Sequence, residues 1–414
     1  MKSTSIKWLG LVCSAMLLAA CGNGSSSSAD GEVSGDLVVW EHDPSYDGAI
    51  EAVIEAFEEE YPDVEVEYES KASNDYYSLL TTALQSGTGP DVFWTNGTAT
   101  ENMATYVEQG KVLDITDSVD LSALNEESFD LAQIDGKTYS VPWMAFDTRV
   151  AYYNKDIFEE LNLSEPQSFE EFESMLETIK DAGYVPISLS GMSSWQLLWV
   201  YEYILATKYP DYAAGFNDYT VKADSDEARD ALQTVVDWAE KGYFGDGFKG
   251  VDTNGQTLAF TTGEAAMTID GSWMNQTIAE NNPDLNFGAF HIPGEDGQKT
   301  MMGSFANGFS GNADSENQAA VEAFLNFVAT QEAQEIYVTE LQAVSGSADI
   351  ASVKGVTSEI ADADRQVGTW QSMLTKHSSG DTSAASIWEE EGTQVLDGSM
   401  TVDELMDKIG KAMD

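Results

Sequence analysis

From Asp36 onward the chain alternates short apolar runs with amphipathic stretches of helical period. Asp36 to Trp40 (DLVVW) reads as a buried strand, and Ile50, Val53, Ile54 and Phe57 then recur at the i, i+3, i+4, i+7 spacing of one helix face. Pro62 ends that helix, and VEVEY alternates as a half-exposed strand. Asn74 is placed to cap a helix whose face carries Tyr77, Leu80 and Leu84. Gly87 and Gly89-Pro90 stop it, and DVFW makes the next strand. Strand–helix–strand–helix–strand predicts a mainly parallel sheet covered by helices, hence an α/β fold.

The same pattern continues. Asp135-Gly136 is a hairpin-turn signal inside Ile134 to Val141, and RVAYYN (Arg149 to Asn154) is a further strand. Ser168 and Glu171 form a capping box ahead of Phe169, Phe172, Leu176 and Ile179. Helices fit Trp195 to Thr207 and Glu227 to Lys241; strands return at Ala265 to Ile269 and Phe287 to Ile292. Late helices are expected around Val321 to Phe327, Arg365 to Lys376 and Val402 to Ile409, and no internal repeat is present. In GEAAMTIDGSW the strand breaks at Asp270-Gly271-Ser272, and Trp273 lands just past the turn. There it either fills a core or walls a ligand.

The N-terminus changes the picture. Lys2 and Lys7 precede an apolar run, Trp8 to Leu18, too short for an ordinary transmembrane helix, followed by Leu18-Ala19-Ala20-Cys21. This is the pattern of a secretory signal, residues 1–20, and it closely resembles a bacterial lipobox with Cys21 lipidated. Residues 21–35, poor in apolar side chains, read as a flexible tether. The chain has 2 Cys, and Cys13 would leave with the signal, so neither a disulfide nor a cysteine site is expected. What remains is too long for one ordinary core and predicts two lobes. The net charge of −53 disfavours nucleic acid and anionic lipid surfaces as partners, since both are bound through Lys and Arg. The acid lies mostly at polar positions of amphipathic segments and reads as solvated surface.

Several motifs tempt and fail. GDGFKG (Gly245 to Gly250) follows a helix, where a dinucleotide loop follows a strand, and GKT (Gly136 to Thr138) lacks the earlier glycine of a phosphate loop. The run beginning Asp43-x-Ser45-x-Asp47-Gly48 has Ile54 where a calcium loop needs glutamate. The 3 His form no close pair and no G-x-S-x-G elbow occurs. No cofactor, metal or catalytic group is expected.

Aromatic and polar residues do recur where strands end: Trp40-Glu41-His42, Trp94-Thr95-Asn96-Gly97, Asp147, and Trp273, with Trp195 opening a helix. Open α/β sheets bind ligands beyond the carboxyl ends of their strands. At these residues a resemblance emerges. GTGPDVFWTNG, YVEQGKVLDITD, VAYYNKDIFEELNL and GEAAMTIDGSW, in this order, resemble the extracellular solute-binding lipoproteins of carbohydrate ABC importers.

The resemblance runs from Asp36 to the C-terminus and implies two discontinuous α/β lobes, 36–145 with 294–346 and 146–293 with 347–414. Their multi-strand hinge would cross near Met144 to Thr148, near Pro293 and near Gly346 to Asp349. It implies Trp273 as a stacking aromatic, Asn96, Glu41, Asp75 and Tyr76 as first-lobe contacts, Asp147 at the hinge and Trp195 from the second lobe. Phe305, Trp370 and His377 follow from looser matches. The function implied is a monomeric, lipid-anchored receptor on the outer face of a Gram-positive-type membrane, delivering a mono- or oligosaccharide to ABC permease subunits without covalent chemistry. A polyamine or other cationic solute on the same fold, and a secreted carbohydrate-active enzyme, are the competing readings.

Overall fold

The computed structural model describes residues 33–413 apart from 72, 100, 218, 348, 352–354 and 377–382. The expected leader, Cys21, most of the tether and His377 lie outside the described residues.

The described chain forms two lobes, each built on its own sheet. Strands β1 (Gly35–Glu41), β2 (Val64–Ser70) and β3 (Val92–Trp94) are parallel, with β1 central. Between β1 and β2 runs the helix Asp47–Glu60, which buries Ile50, Val53, Ile54 and Phe57 as their spacing predicts. The hairpin β4 (Gln133–Ile134) and β5 (Lys137–Thr138) turns through Asp135 and Gly136, both at positive φ (51° and 76°), as a tight two-residue turn requires.

The larger sheet is organised on β6 (Phe146–Asn154). Its other members are β7 (Val185–Ser188), β8 (Ala265–Gly271), β9 (Phe287–Phe290) and β10 (Thr300–Phe305). After β11 (Phe309–Gly311), antiparallel to β3 in the first sheet, β12 (Arg365–Val367) returns to the larger sheet beside β10. The order is β12-β10-β6-β8-β7, with β9 also on β6. Alternate residues of β6 feed two cores: Ala151 and Tyr153 join the main second-lobe core, Val150 and Tyr152 a smaller cluster with Phe260 and Ile278. A strand buried on both faces reads as a continuous apolar run, as VAYY does.

Ser168 caps the helix Phe169–Asp181 by accepting the Glu171 N–H, while the Glu171 carboxylate reaches back to the Gln167 N–H at 2.6 Å. The helix expected over Arg365 to Lys376 divides instead. Arg365 to Val367 add to the exposed edge of β10, and only Trp370–Lys376 is helical. Gly368 lies between them, packed so closely on Asn217 that a Cβ would collide.

The chain passes between the sheets near Ala145, which bridges Ser345. The pass expected near Pro293 falls later, between β10 and β11, because Gly303 to Phe305 pair with Phe146 to Thr148 of β6. The returning strand therefore completes the larger sheet before the chain enters the smaller one.

Candidate functional site

Where the strand ends of both sheets meet lies a cavity of about 280 Å³. The first lobe contributes the turn after β1 and the segment after β3. His42 stacks on Trp94 (ring centroids 5.3 Å, 10°) and on Tyr46 (5.6 Å, 23°). Its Nδ1 lies 2.8 Å from the Glu41 carboxylate, which is wholly buried. Burial opposes charge on the ring, but the adjacent carboxylate overrides it and lifts the His42 pKa above its ordinary value. Asn96 accepts the Trp94 indole N–H at 3.3 Å and lines the cavity.

β6 supplies Asp147 and Arg149, two residues apart and so on one face. Arg149 is 4% exposed. Its Nε donates to Glu202 (2.8 Å) and Nη2 to Gln371 (3.2 Å); the remaining N–H groups meet no protein acceptor among the described residues. The Asp147 carboxylate likewise has no hydrogen-bond partner among the described residues. Burial pushes its pKa up to about 6 against the pull of Arg149 and His42.

The second lobe adds an aromatic wall. Trp199, from the helix Ser194–Lys208, meets Trp273 edge to face at 4.9 Å. The Arg149 guanidinium lies 4.9 Å from the Trp273 ring and 5.3 Å from Trp199, so one cation touches both indoles. The turn that aims Trp273 is fastened to β6: Ser272 N–H donates to the Thr148 carbonyl, and Thr148 N–H to Ser272 Oγ. Asp270 is buried beneath it, accepting from Gly271 N–H and Gln256 Nε2; burial pushes its pKa to about 6 against the Gly271 N–H and Arg149. A Cβ on Gly271 would collide with the Trp273 ring. Gly271→Ala is therefore expected to displace the indole and weaken ligand binding about tenfold, ~1.4 kcal/mol. Calorimetric titration beside a thermal melt checks this, since the same substitution in a purely structural turn would lower the melting temperature and leave affinity alone.

Of the residues singled out by sequence, Asn96, Asp147, Trp273 and Phe305 line the cavity together. The others do not. Glu41 points to the core beneath His42 because it shares the phase of Leu37 and Val39 along β1. Tyr76 is buried and donates its hydroxyl to the Trp94 carbonyl, and Asp75 is exposed on the same helix. Trp195 packs against the second-lobe core; Trp199, one helical turn on, takes the cavity position. Trp370 is 0% exposed, donates its indole N–H to the Ala223 carbonyl and meets Tyr201 edge to face, so it is a core residue. Sequence reasoning placed His42 in the strand-end set but gave the contact to Glu41, and it missed Tyr46, Arg149, Trp199 and Gln371. Strand alternation would have chosen His42 over Glu41, since it is out of phase with the buried Glu41, and would have found Arg149, in phase with Asp147.

A family model described as bacterial extracellular solute-binding protein matches residues 43–335. The multiple sugar-binding protein of Streptococcus mutans is 27% identical over 361 residues, spanning 84% of this chain and 82% of that protein. A solved structure of the solute-binding protein RafE in complex with raffinose matches with a TM-score of 0.74 at 20% identity, covering 92% of this chain and 99% of that one. An ABC transporter solute-binding protein from Thermotoga lettingae bound with α-D-tagatose gives 0.71 at 20% identity, covering 92% and 100%. At these identities the structural likeness is one of fold.

Proposed function

Because the chain belongs to the bacterial extracellular solute-binding proteins, we propose that it is the receptor subunit of an ABC importer and takes a neutral carbohydrate between its two lobes. The observation that carries this reading is the pairing of an indole wall, Trp199 and Trp273, with a guanidinium, Arg149, that Glu202 and Gln371 hold through only part of its N–H set, and with the Asp147 carboxylate, which has no hydrogen-bond partner among the described residues, in one cavity. A sugar ring has apolar C–H faces and hydroxyl edges. An electron-rich indole suits the first, and a guanidinium beside a carboxylate gives each hydroxyl a partner of the right sense. Ligand held between lobes also excludes water and links binding to closure, the change a permease can read.

The cationic-solute reading is weaker on the same ground. A polyamine site needs carboxylates without competing cations, whereas here Arg149 and the His42 ring, its pKa raised, share the cavity with Asp43 and Asp147. Hydrolysis has less support than binding, since the family and the relatives matched are binding proteins.

With this function we place lipid on Cys21, the mature protein as a monomer on the outer face of the membrane, and the permease as its partner. The lobes are assigned to residues 36–145 with 306–350 and 146–305 with 355–413, following the strand pairing of β10 and the packing of Ile350 in the first core. A thermal-shift screen over neutral sugars and polyamines tests the reading, because a ligand stabilises by RT ln(1 + [L]/Kd). A neutral sugar is expected to raise the melting temperature by several degrees. A shift with spermidine and none with any sugar would reverse the assignment.

A further inference from the structure

The cavity between Trp273 and His42 does not end at Phe305. A second cavity of about 540 Å³ adjoins it, and the two share Leu131, Ser304, Phe305, Thr369 and Ser372 as lining. Ligand pockets for small organic molecules run to roughly 300–1,000 Å³; the first cavity alone lies at the lower edge of that range, and the second continues it along β10.

The second cavity has aromatic walls like the first and carries amides where the first carries Arg149 and Asp147. Phe146 meets Phe305 edge to face at 5.6 Å, and Tyr219 adds another ring. Asn217 and Gln366 supply amides, and among the described residues Glu126, an exposed residue, is the one charged side chain on its lining. Flat rings with neutral amides at their edges suit a polyol as well as the indole wall does. Tyr219 is also held at φ +54°, a left-handed conformation costly for a bulky side chain and of the kind that clusters at ligand sites.

Building on the carbohydrate reading, we infer that the ligand is an oligosaccharide of at least two rings. One ring sits among Trp199, Trp273, Asp147 and Arg149, and the chain continues past Phe305 into the cavity walled by Phe146 and Tyr219.

Calorimetric titration with glucose, galactose, xylose and N-acetylglucosamine, each beside its oligomers of two to four rings, tests this on the whole protein. For the sugar that binds, Kd is expected to fall at least about tenfold from one ring to two or three. Tyr219→Ala should abolish that gain and leave the monosaccharide affinity within about twofold of the parent. Tyr219→Gly should do the same at a smaller cost in folding than Tyr219→Ala, since glycine adopts this left-handed backbone freely and so offsets part of the loss of the packing the ring gives the second-lobe core. A monosaccharide bound as tightly as its oligomers overturns the inference, as does an equal loss for one ring and for several in both variants. Heat with spermidine and with no sugar of any length overturns the carbohydrate reading itself, and this inference with it.

Discussion

Trp273→Ala is expected to weaken sugar binding by roughly 30- to 700-fold, about 2–4 kcal/mol, with the fold still cooperative. The indole is only half-buried and lines the cavity, so its truncation removes ligand contact more than core. Two further losses add to the missing stacking surface. Trp199 loses its edge-to-face partner and is free to leave the geometry the ligand needs, and the Arg149 guanidinium, still held by Glu202, loses one of the two rings beside it. Trp370→Ala makes the contrast. That indole is enclosed by Tyr201 and Trp388, and its loss should cost about 3–5 kcal/mol of stability. Titration and denaturant unfolding on both variants separate the roles. Unchanged affinity in Trp273→Ala would remove the residue from the site, and global unfolding would make it a core residue.

The two substitutions look alike on paper, each removing a tryptophan near a strand end or helix start. Sequence alone placed both on the ligand. What it lacked was the third dimension around each indole: Trp370 begins a helix that is pinned by Ala223, a residue far away in the chain. Local signals fared better. The helix Asp47–Glu60 and the turn at Asp135-Gly136 follow from spacing and backbone preference, both properties of a few neighbouring residues. The three residues of β12 have no strand pattern of their own, and only the free edge of β10 makes them a strand and not the start of a helix. The same limit governs the site. Asn96, Asp147 and Trp273 sit at strand ends that patterning reveals, whereas Trp199 reaches the cavity through the rotation of its helix. Glu41 was legible and misread: burial of Leu37 and Val39 on the same phase sends it inward and leaves His42 to face the cavity.

Arg149→Met is expected to destabilise the protein by about 3–5 kcal/mol at neutral pH, through Glu202 and not through lost packing. Glu202 is 0% exposed, and besides the Arg149 Nε it accepts the Gln371 N–H at 3.1 Å. Burial already raises the Glu202 pKa, and the guanidinium is the main influence holding it down. Without Arg149 the carboxyl rises further and faces either ionisation without a counter-charge or uptake of a proton. A pKa raised in the folded state means that the folded protein binds the proton more tightly than the unfolded chain does. Its stability is then greatest below the unfolded-state value and is lost as pH rises through the folded-state value. The deficit of Arg149→Met relative to the parent should therefore be small near about pH 4.5 and grow toward pH 8, measured by urea unfolding across that range. Adding Glu202→Leu removes the buried carboxyl and should recover most of the lost stability, since replacing a buried pair outright costs far less than breaking it. Ligand affinity should not return with it, because the donors that face the cavity and the cation behind Trp199 and Trp273 are still absent. A deficit independent of pH, or a double variant no more stable than the single one, would deny Glu202 this role. Parental affinity in the double variant would show that Arg149 serves the fold alone.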